Sequence, residues 1–72
     1  MNQKEVGRYL RELRGERTLD KVSDDTGIGR SALNMYELGL RVPRDEAKVK
    51  LSQYYKVPID IFFRGNFTNR EE

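Results

Sequence analysis

Glycines at positions 15, 27, 29 and 39 cut the first half of the chain into short segments, and within each segment apolar residues recur every three or four positions. That spacing makes one apolar stripe on a helix, and no stretch alternates as a half-buried strand would. Val6, Leu10 and Leu13, with Tyr9 beside them, sit in a segment otherwise filled with Lys, Arg and Glu, which predicts an amphipathic helix over residues 3–14 ended by Gly15. Thr18 is placed to cap a second, short helix with Leu19 and Val22 inward and Ser23 small enough for close approach, broken at Gly27. Gly29 opens a third helix with Leu33 and Tyr36 on one face, closing at Gly39. A new segment begins at Pro43, with Asp45 and Glu46 at the positive end of a helix dipole, Lys56 near the negative end, and Ala47, Leu51, Tyr54 and Tyr55 inward. Val57 and Pro58 start a last turn of helix, Ile59 to Phe63, whose Phe62 and Phe63 close the core. Five short helices without an alternating segment predict a compact all-α bundle.

Seventy-two residues suffice for one small core, expected over residues 1–65 with a polar tail over 66–72. The chain has no cysteine and no histidine. Their absence removes disulfides, the commonest metal sites, the Ser-His and Cys-His nucleophilic systems and the usual general base near neutral pH. Asp24 and Asp25 are consecutive on a helix, diverge by about 100 degrees, and read as a solvated face. Ser23 and Ser31 have no base to activate them. No enzyme activity, metal, cofactor or small-molecule ligand is expected. Nothing at the N-terminus reads as a signal segment and no run is long enough to span a bilayer, so a cytoplasmic location without membrane attachment is expected.

The net charge is only +2, but its distribution is uneven: residues 1–17 sum to +2 and 30–56 to +3, whereas 18–29 sum to −2 and 57–72 to −1. Nine of the fourteen cations are arginine, the side chain whose planar fork suits phosphate and guanine edges.

The Gly27-Ile28-Gly29 turn joins two short helices, the geometry of a helix-turn-helix, in which the first helix braces on a DNA backbone and the second enters the major groove. The stretch TLDKVSDDTGIGRSALNMYELG, a following proline, and a helix ending in YYKVPIDIFF resemble the Cro and lambda-repressor-like helix-turn-helix family. The match runs over nearly the whole chain, through Val6-Gly7, Leu10, Leu13-Arg14, Val22-Ser23, Gly27-Ile28, Leu33, Tyr36-Glu37, Gly39, Pro43 and Val57-Pro58-Ile59-Asp60. The resemblance implies a five-helix domain with the helix-turn-helix at helices 2 and 3, and a small phage-type regulator that binds double-stranded operator DNA. It places Arg30, Ser31 and Met35, with Asn34 beside them, at base-facing positions. Arg30 suits a guanine, Ser31 a base or phosphate, and Met35 a thymine methyl. Thr18 with the amides of the second helix, Lys21, Arg41 and Arg44 become phosphate contacts. Arg14 and Glu37 stand where relatives often form an ion pair that braces the recognition helix.

Three departures from the family pattern point elsewhere. The link between the first two helices is two residues shorter than usual, Leu19 stands where many relatives carry a phosphate-binding glutamine, and Leu38 and Leu40 flank Gly39 where relatives offer polar groups to the backbone. Met35, Leu38, Leu40 and Val42 could form an apolar patch of the kind that marks a protein interface. The chain also resembles small regulators of temperate-phage switches, some of which bind a repressor and mask its DNA-reading surface. The alternative is therefore a modulator or antirepressor whose partner is a phage repressor. Ile61, Phe63 and Phe67 lie where the family often forms its two-fold contact, which makes a homodimer a further expectation.

Overall fold

A computed structural model describes residues 2–62. Phe63, Phe67 and the polar tail expected over 66–72 lie outside the described residues, and so does the end of the domain expected at 65. Among the described residues the chain forms α1 (Gln3–Arg14), α2 (Leu19–Thr26), α3 (Arg30–Glu37) and α4 (Asp45–Tyr55), with a further helical turn over residues 60–62 and no strand.

The start of α1 is fixed by two reciprocal bonds. The Glu5 amide donates to the Asn2 side chain and the Asn2 amide donates to the Glu5 carboxylate, each at 2.9 Å, which satisfies two amides that the helix itself leaves unpaired. Val6 and Leu10 are buried, whereas Leu13, expected inward, is only half-buried and stands outside the core cluster. Arg14 turns the helix end toward other partners, and the chain leaves through Gly15 at φ 59°. Only residues 15–18 separate α1 from α2. Crossed bonds hold this short link: the Arg14 guanidinium donates to the Arg17 carbonyl at 2.7 Å and Arg17 donates to the Leu13 carbonyl at 3.1 Å.

Thr18 caps α2 as expected, its hydroxyl oxygen accepting from the Lys21 amide at 3.0 Å. The turn after α2 is built by two side chains. Ser23 donates to the Ile28 carbonyl at 2.6 Å, and Thr26 donates to the Val22 carbonyl at 2.7 Å while accepting from the Ile28 amide at 3.1 Å. Ser23 therefore does more than leave room for a neighbour. Gly27 supplies the left-handed residue, φ 80°, that reverses the chain.

Leu33 and Tyr36 of α3 are buried as expected. The helix ends in a Schellman motif: the Leu40 amide donates to the Met35 carbonyl at 2.9 Å and the Gly39 amide to the Tyr36 carbonyl at 3.1 Å. Pro43 is buried in the connection, Arg44 is the N-cap of α4, and Asp45 and Glu46 occupy its first turn. Lys56 closes α4 in the left-handed region at φ 59°.

The core consists of Val6, Leu10, Val22, Leu33, Tyr36, Ala47, Leu51 and Phe62, with Phe62, Leu51 and Val22 the largest fully buried side chains. Each such apolar side chain contributes about 1.5–3 kcal/mol by leaving water. Tyr54 and Tyr55, expected inward, are only half-buried. They pack edge to face at 5.0 Å, and the Arg17 guanidinium lies 5.5 and 5.8 Å from their ring centres. Lys48 and Ser52 are buried instead, a pair the apolar pattern could not reveal, and burial pushes the Lys48 ammonium below its ordinary value.

Burial, reinforced by the nearby Glu37 carboxylate, pushes the Tyr55 hydroxyl up to about 12. A group that holds its proton more tightly when folded contributes stability that is complete below its unfolded value, about 10, and is lost as pH rises toward the folded one. Melting temperature is therefore expected to fall between pH 10 and 12, and Tyr55→Phe to fall less steeply over that range. Parallel curves for the two proteins would show that Tyr55 carries none of the loss.

Candidate functional site

α3 packs against both α1 and α2, so its outer face is presented by a two-sided support. α1 comes close to α3 at Gly7, a buried position where a methyl group would lie 2.5 Å from the Tyr36 carbonyl oxygen and 2.6 Å from that of Glu37. The same end of α3 is tied to α1 twice more. The Gln3 side-chain amide donates to the Gly39 carbonyl at 2.7 Å. Arg14 donates through Nε and Nη2 to the two Glu37 carboxylate oxygens at 2.8 and 3.0 Å. The fork contact holds the Arg14 guanidinium above its ordinary value, and the side chains are only 18% and 8% exposed. The brace implied by the family resemblance is present.

With those anchors in place, Arg30, Ser31 and Asn34 are exposed on the outer face of α3, and Met35 is half-buried beside them. Thr18, Lys21, Arg41 and Arg44 are all exposed, the first two at the amino end of α2 and the others in the connection between α3 and α4. The helix amino end directs unpaired amides and a partial positive charge outward, which suits an anion. Thr18 spends its oxygen on the cap and keeps its proton for a donor bond.

Local acids temper this positive surface. Arg30 Nε lies 2.9 Å from an Asp20 oxygen, and Lys21 Nζ lies 3.4 Å from an Asp25 oxygen. Asp25 also accepts from the Tyr54 hydroxyl at 2.7 Å, a bond that with the nearby Lys21 ammonium holds its carboxyl below the usual range and raises the Tyr54 hydroxyl. Asp25, exposed as expected of a solvated face, is also engaged between α2 and α4. Arg41 and Arg44 have no ion-pair partner among the described residues.

The apolar candidates also stay outside. Leu38 is 54% exposed, Leu40 60% and Val42 41%, so none of these three folds under into the core. Ile61 is half-buried against the core cluster, and the other two residues of the expected two-fold contact lie outside the described residues. One basic feature was not foreseen. Lys4, Arg8 and Arg11 of α1 line a cleft of about 300 Å³ with Glu37 and Leu38. Their i, i+4, i+7 spacing was the available signal. Among the described residues no cluster of potential metal ligands occurs, and no helix is long and apolar enough to cross a membrane.

A family model described as helix-turn-helix matches residues 8–62. The chain is 35% identical over 65 residues to the cryptic phage CTXphi transcriptional repressor RstR of Vibrio cholerae. That alignment covers 88% of this chain and 59% of the repressor, so the chain spans less than two thirds of that relative's length. No solved structure matches the chain significantly.

Proposed function

Because the chain belongs to the Cro/C1-type helix-turn-helix family, we propose that it is a phage-type transcriptional regulator that binds operator DNA through α3. The observation that carries the proposal is the outward display of Arg30, Ser31 and Asn34 on a helix held from behind by Gly7 and the Arg14–Glu37 pair. Arg30 would read a guanine, with Ser31, Asn34 and Met35 flanking it. Thr18, Lys21 and the α2 amides would seat one phosphate, and Arg41 and Arg44 another. Two copies on a two-fold operator would set their α3 helices about 34 Å apart.

Selection of a duplex from a randomised pool, followed by titration over a range of salt, tests the proposal. Selective binding should weaken with a log-log slope of about −0.9 per phosphate neutralised. Arg30→Ala should lose about 1–3 kcal/mol on the selected duplex and relax selection at one base position. Equal affinity for selected and scrambled duplexes at low salt rejects it.

A second reading rests on the exposure of Leu38, Leu40 and Val42 next to Met35. Leucine gains little against phosphate but buries favourably against protein. In that reading the same face covers the reading surface of a partner repressor. Leu38→Asp separates the two. Selective duplex binding that survives the substitution supports DNA as ligand, whereas duplex-blind protein whose hold on a repressor fails with Leu38→Asp supports the alternative.

A further inference from the structure

Asp20 and Arg30 are ten positions apart, one in the first turn of α2 and the other the first residue of α3, and the Gly27-Ile28-Gly29 turn brings them to 2.9 Å. Both side chains are well exposed, at 76% and 65%, so the pair adds little to folding. Its placement is what distinguishes it. Arg30 is the sole cation on α3, and Asp20 sits at the helix end where a phosphate would dock. The other acids of α2 are arranged differently: Asp25 is engaged by Lys21 and Tyr54, and Asp24 has no ion-pair partner among the described residues.

An Asp20 oxygen and Nε of Arg30 lie 2.9 Å apart as an ion pair. A guanidinium held over the α3 face can offer two donors at once to a base edge. A single phosphate offers Arg30 little that the Asp20 carboxylate does not already supply. Reaching for it would leave that carboxylate unpaired beside the polyanion.

We propose that Asp20 is a positioning residue for base selection: its ion pair holds Arg30 away from backbone phosphates and keeps the guanidinium for a guanine edge. The inference rests on the DNA reading above and goes beyond it by assigning selectivity to an acid on α2.

The test measures the ratio of affinities for the duplex selected by the wild-type chain and for a scrambled duplex of equal length, at one salt concentration. Asp20→Asn should lower that ratio about fivefold, chiefly by tightening the scrambled complex. Asp20→Glu should restore most of it. Asp24→Asn removes the same charge from the same helix without touching Arg30, and should tighten both complexes alike with the ratio unchanged. In the free protein the Arg30 Nε–Hε resonance should move in Asp20→Asn and stay in place in Asp24→Asn. An unchanged ratio in Asp20→Asn, an equal fall in Asp24→Asn, or an unmoved resonance overturns the inference while the DNA reading stands. A wild-type chain that selects no duplex overturns the DNA reading and this inference with it.

Discussion

Gly7→Ala is expected to lower the unfolding free energy by about 3 kcal/mol and the melting temperature by roughly 10 °C or more. The sign is the informative part. On an exposed helix the same change stabilises by about 1 kcal/mol, because alanine is the better helix former. Gly7 lies within α1 and has no positive φ, so its backbone would accept alanine without strain. The penalty comes entirely from outside the helix. The new methyl would stand 2.5–2.9 Å from the Tyr36 and Glu37 carbonyl groups, and these belong to the backbone of α3, where no side-chain rotation can make room. Either α3 moves off α1 or the two helices separate. Thermal unfolding followed by circular dichroism reads the difference directly. A melting temperature at or above that of the wild type would mean that the helices are not packed this closely.

The second large effect concerns the Arg14–Glu37 fork. Arg14→Met should cost about 2–3 kcal/mol, less than for a fully enclosed pair because the guanidinium keeps some contact with solvent. Much of that cost is the Glu37 carboxylate, only 8% exposed, left without its two donors. Removing one partner of such a pair is worse than removing both. The double variant Arg14→Met, Glu37→Leu should therefore recover to within about 1 kcal/mol of wild type. Urea denaturation of the two single variants and the double variant closes the cycle. Additive losses in the double variant would show that the two side chains are energetically independent, against the bidentate geometry.

The helices were legible because each carries its own start and stop in the sequence. Thr18 and Gly27 bound α2, Gly29 and Gly39 bracket α3, and Asp45 and Lys56 mark the ends of α4. The Arg14–Glu37 pair was reached through family resemblance, since no local rule links positions 23 residues apart. Other features depend on how helices meet. Gly7 was noted only as a matching residue, although it follows buried Val6 and falls three positions before buried Leu10, the spacing of a face that approaches a neighbour. Lys48 and Ser52 are four apart and buried on α4, where a search for apolar periodicity passes over them. Leu13 fits the stripe of α1 but is only half-buried and outside the core cluster, at the helix end where Arg14 and Arg17 bond across the short link to α2. Leu38, Leu40 and Val42 are exposed at and after the Schellman turn that ends α3, where no helical periodicity says which side chains turn inward.

The division of labour along α3 has an evolutionary consequence. Leu33 and Tyr36 belong to the interior, whereas Arg30, Ser31 and Asn34 are exposed. Substitutions at such exposed positions usually change stability by no more than about 0.5 kcal/mol, so under the proposed DNA reading, drift there would explore new targets without passing through unstable intermediates. A lineage of such chains can diverge in what it recognises while inheriting one scaffold unchanged.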